Sequence, residues 1–240
     1  MNEIVVESLA LHGRTCYFNQ NAAAGDLLIE IVDAREAEGL ADRITRIRAL
    51  APGIPFSYAA IPVEYWNAEL SPWEAPAVFG KAPFGAGAAD TLSFLETVLL
   101  PEIAGTKRDQ TRDLSPEPRC FLGGYSLAGL FALWTAYETD RFAGVAAASP
   151  SVWFPGWIPF ARSHAVRSPA VYLSLGDREE KAKNPTLAGV GACIRQQEEL
   201  LRQDPAVRHC VLEWNPGNHF ADADLRVAKG FAWLLRQTDR

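Results

Sequence analysis

Apolar residues recur along the chain in two patterns. Short continuous runs at residues 27–32, 56–61, 119–122, 143–147, 170–175 and 208–214 have the length and composition of strands buried on both faces. Longer segments at 90–103, 127–137, 187–202 and 221–237 carry apolar residues at helical spacing, and Asp90 and Thr91 supply a start signal for the first. Strands alternating with helices of this length predict an α/β architecture, a mostly parallel central sheet with helices on both faces. Sheets of that kind hold their sites at the carboxyl ends of the strands. The first fifty residues are less regular. They suggest antiparallel edge strands followed by a charged stretch, 33–48, that reads equally as helix or loop, and no chemistry is assigned to them.

Gly and Pro punctuate the chain at short intervals, with no repeat and no Gly/Ser linker, so one domain spanning residues 1–240 is expected. Hydrophobic residues at 48% and charged residues at 22% fit an ordinary packed core and disfavour disorder or a coiled coil. A formal net charge of −6 has the wrong sign for gripping phosphates over a wide surface, so no nucleic-acid partner is expected. Two acids within the first seven residues replace the basic start of a signal peptide, and no apolar run is long enough to span a bilayer. A cytoplasmic protein without membrane contact is the expectation. Cys16, Cys120, Cys193 and Cys210 form no C-x-x-C pair, which points to buried thiols in a reducing compartment and away from a metal site.

The segment with most chemical content is Arg119-Cys120-Phe121-Leu122-Gly123-Gly124-Tyr125-Ser126-Leu127-Ala128-Gly129, read as strand, sharp turn, helix. Its centre departs from G-x-S-x-G only at Ala128. That motif raises a serine hydroxyl above a sheet on a strained turn, so the residues two before and two after it must be small. Gly124 and Ala128 meet the requirement. A helix starting behind Ser126 would aim the Leu127 amide at the site, a natural first donor to an oxyanion. Gly123, Gly124 and Gly129 do not space as a phosphate-binding loop, and no Gly-Lys-Ser/Thr follows. Without partners, the segment is also consistent with an unreactive strand-to-helix connection.

A nucleophilic serine needs a base and an orienting acid, which follow it in the order serine, acid, histidine. His12 precedes Ser126, His164 lies in a basic connection, and His209 falls inside the strand 208–214. His219 follows the last strand, in the turn Asn215-Pro216-Gly217-Asn218-His219-Phe220, where an imidazole can overhang the carboxyl edge. It is the candidate general base. The acid should leave the strand 170–175, where Asp177 and Glu179 stand in a charged loop. Spacing does not choose between them. Glu198, Glu199 and Asp204 fall on or after a polar helical face.

From residue 56 to the end, these segments resemble the serine esterases of the α/β-hydrolase superfamily that include esterase D, the enterochelin and salmochelin esterases, feruloyl esterases and mycolyltransferases. The resemblance is carried by Ala59-Ala60-Ile61-Pro62-Val63 with Trp66 to Trp73, by Phe84-Gly85-Ala86-Gly87 leading to Leu100-Pro101-Glu102-Ile103, by the Ser126 elbow, and by Ala148-Ser149-Pro150-Ser151-Val152-Trp153. It implies the α/β-hydrolase fold and a carboxylic-ester hydrolase acting on a small-molecule ester without metal or cofactor. It favours Glu179 as the acid, with Asp177 in reserve, from the setting Gly176-Asp177-Arg178-Glu179. It also implies a second oxyanion donor in the loop after the third strand, mapped here to Pro62-Val63-Glu64; proline has no N–H, so Val63 or Glu64 must serve. Trp66, Trp73, Trp153 and Trp157 are candidates to line a pocket, while Trp134 and Trp233 are expected in the core. Acyl transfer to an alcohol, or a binding protein that keeps the fold without catalysis, remain alternatives, and the oligomeric state is not legible.

Overall fold

In the computed structural model, which describes residues 4–108 and 118–237, eight strands pair into one sheet. They are β1 (Glu7–Leu11), β2 (Arg14–Asn19), β3 (Asp26–Asp33), β4 (Ser57–Val63), β5 (Arg119–Tyr125), β6 (Gly144–Ala148), β7 (Ala170–Gly176) and β8 (His209–Asn215). The order across the sheet is β1-β2-β4-β3-β5-β6-β7-β8. β1 and β2 pair antiparallel with each other and β2 with β4, and every other pairing is parallel. Residues 1–3, the start of the acidic amino terminus, lie outside the described residues.

The continuous apolar runs are explained by burial. Every residue of β4, β6 and β7 is buried, whereas β1 at one edge is largely exposed and β8 at the other is half-buried. Successive side chains of the inner strands feed two separate cores. Leu27, Ile29 and Ile31 pack on one face and Leu28 and Val32 on the other, the two-residue period of a strand. The first face is covered by α3 (Ala88–Phe94), α4 (Leu100–Arg108), α5 (Leu127–Glu138), α6 (Trp157–Ser163) and α8 (Val190–Gln203), and the second by α1 (Leu40–Leu50) and α9 (Ala223–Leu235). Two short helices complete the set, α2 (Trp66–Leu70) and α7 (Pro185–Ala188). α5, directly behind the elbow, is buried over nearly its whole circumference.

The differences from the sequence reading have local causes. The stretch 33–48 resolves into a 3₁₀ turn at Ala34–Gly39, capped by the Asp33 carboxylate, followed by α1. The helix expected at 90–103 contains a wide π turn at Leu95–Leu99, just upstream of Pro101, whose missing N–H interrupts the regular ladder. The helix expected at 187–202 is two: Asn184 caps α7 through the amides of Thr186 and Leu187, and the chain resets at Gly189. α6 was hidden by Pro159, which sits in its first turn where no N–H is needed. Glu30, in the middle of β3, is buried against α1, accepting from Arg43 Nη1 and from the Tyr58 hydroxyl, each at 2.5 Å. Arg43 also reaches Asp224 at the start of α9. One charge network, buried at Glu30 and Arg43 and open to solvent at Asp224, therefore joins both helices of this face to the sheet.

Candidate active site

β5 ends at Tyr125 and α5 begins at Leu127, so Ser126 alone turns the chain. Its backbone stands at φ 59° and ψ −118°, a conformation costing on the order of 1–3 kcal/mol in a non-glycine residue. Surrounding bonds enforce it. The Ser126 N–H donates to Ala148 O at 3.0 Å, and its carbonyl accepts from Leu130 N–H at 3.0 Å and Ser151 N–H at 3.1 Å. Gly124 makes the turn sterically possible: a β-carbon there would lie 2.6 Å from that of Ala128. Ala128 therefore fits in place of the motif's second glycine because its partner has no side chain. Gly124→Ala is expected to cost about 1–3 kcal/mol through this overlap, and Ala128→Gly about 1 kcal/mol or less, the helix-propensity difference. Thermal denaturation of both variants measures this, and equal melting of wild type and Gly124→Ala would refute the steric account.

The Ser126 hydroxyl lies 3.0 Å from His219 Nε2, and His219 Nδ1 lies 2.7 Å from Glu179 Oε2. With the serine donating to Nε2, Nδ1 carries the proton that is given to the carboxylate. Glu179 occupies a short 3₁₀ turn, Glu179–Lys181, after β7 and is buried; His219 is partly exposed in the loop after β8. The other carboxylate oxygen, Oε1, accepts from Gly176 N–H at 2.7 Å, from the Ser149 hydroxyl at 2.8 Å and from Arg226 Nη1 at 2.8 Å. Burial pushes the Glu179 carboxyl up, but the His219 contact and these donors outweigh it and hold the group below the usual carboxylate range. An ionised acid results, locked in rotation with one oxygen presented to the imidazole.

Asp177 does something else. Its carboxylate accepts from Gly217 N–H at 2.8 Å, and its neighbour Arg178 donates its backbone N–H to Gly217 O at 3.1 Å. The residue pins the loop that carries His219. His164 bonds to Phe160 and Ser163 beside it, His12 turns the chain between β1 and β2, and His209 starts β8.

The mapping of a second oxyanion donor onto Val63 or Glu64 requires correction. β3, the third strand in chain order, lies between β4 and β5, with Ile31 beside Gly124 and Val63 beside Asp33. Strands stand about 4.8 Å apart, so Val63 is roughly 10 Å to the side of the elbow strand. The Glu64 N–H is already donated to Glu69 Oε1 at 2.9 Å. The loop after the third strand begins at Ala34, the first residue of the turn capped by Asp33.

Three residues in contact with this constellation were not singled out in the sequence: Tyr125, Ser149 and Arg226. Arg226 is 1% exposed, and its Nη1 also reaches the Tyr125 and Ser149 hydroxyls at 3.1 and 2.9 Å. The available signal was an arginine on the apolar face of the helix expected at 221–237, beside Val227 and Phe231. Among the described residues no group of three His, Cys, Asp or Glu is placed to hold a metal, and no helix is long and apolar enough to cross a membrane.

A family model described as "Putative esterase" matches residues 58–221. The chain belongs to this esterase family. It is a carboxylic-ester hydrolase, and its architecture is the α/β-hydrolase fold. The siderophore hydrolase EstB of Aspergillus nidulans is similar over 100% of this chain and 98% of its own, with a TM-score of 0.77 at 14% identity. An IroE-like serine hydrolase of Shewanella oneidensis is similar over 96% of this chain and 80% of its own, with a TM-score of 0.76 at 16% identity. Enterochelin esterase of Shigella flexneri gives a TM-score of 0.68 at 16% identity, over 98% of this chain and 59% of its own. At these identities the likeness is one of fold. No curated protein matches the sequence.

Around the serine of this esterase the aromatic residues divide. Trp157 is fully buried, stacked on Trp73 and donating Nε1–H to Gln197 at 2.9 Å, so it belongs to the core and not to a pocket wall. Trp73 is likewise engaged, with Phe154, Phe160 and Pro155 O. Trp153 packs against Phe79 and Phe84 just beyond Ser151, whose hydroxyl lies 3.5 Å from that of Ser126. Trp66 and Tyr125 line a cavity of about 70 Å³ together with Glu30, Arg43 and Asp224. Trp134 is buried, as expected of core, and Trp233 is half-buried against Tyr172. Phe220, adjoining His219, and Tyr65, beyond the end of β4, are the most exposed aromatics described, at 89% and 70%.

Proposed function

We propose that this esterase works through an acyl-enzyme on Ser126, with His219 as general base and Glu179 as the orienting acid. The relay of hydrogen bonds from the Ser126 hydroxyl through His219 to Glu179, at 3.0 and 2.7 Å, is the observation that carries the reading. His219 Nε2 takes the serine proton as Oγ bonds to the acyl carbon and the carbonyl electron pair moves onto its oxygen. The oxyanion rests on the Leu127 amide, at the start of α5, and on the Ala34 amide, which opens the turn after β3. Collapse breaks the ester C–O bond and the departing alcohol takes the proton from His219. Water then loses a proton to His219, attacks the acyl carbon and releases the acid, and the proton returns to Ser126.

The substrate we assign is a small-molecule ester. Since EstB is a siderophore hydrolase, siderophores that carry ester bonds are the first class to assay, beside p-nitrophenyl esters. A cytoplasmic setting, in which the free thiols Cys16, Cys120, Cys193 and Cys210 stay reduced, is part of the proposal. Intact-mass analysis after treatment with a fluorophosphonate is expected to show one adduct on the wild type and none on Ser126→Ala. A folded wild-type protein that forms no adduct would overturn the acyl-enzyme reading in favour of a non-catalytic binding protein. Product analysis with an added alcohol separates hydrolysis from acyl transfer.

A further inference from the structure

We propose that Arg226 is a positioning residue that holds the Glu179 carboxylate and the loop carrying His219 in one rigid frame. The inference rests on the triad reading above. It starts from an imbalance in the contacts of Arg226. Its Nη1 gives one hand to the acid, reaching Glu179 Oε1 at 2.8 Å with the Ser149 and Tyr125 hydroxyls close by. Its Nη2 gives the other to the base, donating to Pro216 O at 3.2 Å and Asn218 O at 3.0 Å in the loop just before His219. The Tyr125 hydroxyl completes the frame by donating to the His219 carbonyl at 2.6 Å. Acid and base come from separate loops, after β7 and after β8, and this one guanidinium touches both.

Stability alone is a poor reason for an arginine here. The Arg226 Nε is buried without a hydrogen-bond partner among the described residues, and an unsatisfied buried donor costs roughly 1–3 kcal/mol. Apolar replacements of buried ion pairs are often neutral or stabilising. What an apolar residue cannot supply is a fork with two separated donors and a fixed positive charge.

The test compares Arg226→Met and Arg226→Lys with wild type by kcat and KM on a p-nitrophenyl ester, with circular dichroism to establish folding. Arg226→Met should lower kcat roughly 10²-fold through the loosened frame with KM little changed, and Arg226→Lys should recover part of that loss, since a donor returns but the fork does not. A folded Arg226→Met protein with wild-type kcat, or with kcat lowered no more than KM is raised, would overturn the proposal. Should Arg226→Met fail to fold, Arg226→Lys and Tyr125→Phe decide: wild-type kcat in both would overturn the frame. Failure of the triad reading would instead appear as a wild type that forms no fluorophosphonate adduct.

Discussion

Ser126→Ala, His219→Ala and the double variant are each expected to lower kcat on an activated aryl ester by the same factor, roughly 10⁶-fold. In the proposed mechanism the two side chains act as one unit. With the imidazole gone, the serine hydroxyl has no acceptor for its proton at neutral pH; with the hydroxyl gone, the imidazole has no nucleophile to activate. Either single loss leaves only the backbone amides and substrate binding, which supply a residual on the order of 10³–10⁴-fold over water. The geometry makes the unit tight, because Nε2 is 3.0 Å from Oγ and the imidazole is braced from behind by Glu179. Steady-state kinetics on the three proteins, with circular dichroism to establish folding, measures the coupling. Losses that multiply in the double variant would mean that Ser126 and His219 contribute separately, and the shared proton transfer would have to be abandoned.

The parts of the fold legible in the sequence were those where burial dictates composition. β3 through β7 are inside the sheet, so their residues are mostly apolar, with Glu30 the charged exception in the middle of β3, and the runs at 27–32, 119–122 and 170–175 fell inside strands only a few residues longer. The ends were short because glycines and prolines at the carboxyl edge, such as Gly123, Gly124 and Pro62, look like breakers yet lie within β5 and β4. The order of strands was not legible. Nothing in residues 57–63 shows that β4 sits outside β3, and that reversal moves the loop after the third strand from Val63 to Ala34. In the candidate site, Ser126 and His219 could be named because a strained turn and a loop histidine in the right order leave a pattern in one dimension. Ser149 left none, and Arg226 left only a charge on an apolar helix face, which does not say what it touches. Their part depends on α9 passing beneath the loops after β7 and β8, a relation that exists only in the folded chain.

Glu179 and Asp177 stand two residues apart after the same strand, and substitutions should separate them sharply. Glu179→Gln is expected to lower kcat roughly 10⁴-fold, the loss associated with an acid-to-amide change in a serine triad. The side chain keeps its size, but only one of its two atoms can still accept. Three donors, from Gly176, Ser149 and Arg226, compete for that oxygen, which leaves the amide nitrogen facing His219 Nδ1. The imidazole then accepts there and carries its proton on Nε2, aimed at Ser126, the wrong tautomer for a base. Asp177→Ala removes one bond to Gly217 from an exposed carboxylate, a change worth about 0.5–1.5 kcal/mol, and should cost activity no more than about tenfold. Stability separates the pair as well. Glu179→Ala strands the buried Arg226 charge and should destabilise the fold by about 3–5 kcal/mol. Because the folded state holds the Glu179 carboxyl below its ordinary value of 4.5, the part of this contribution that depends on its ionisation is fully present above that pH and fades as pH falls through the lowered value, since protonation then favours the unfolded chain. The gap between urea titrations of wild type and Glu179→Ala should therefore narrow, without closing, as pH drops below 4.5. If Asp177→Ala proves the more damaging to kcat, the assignment of the acid is reversed, and the His219–Glu179 contact is structural.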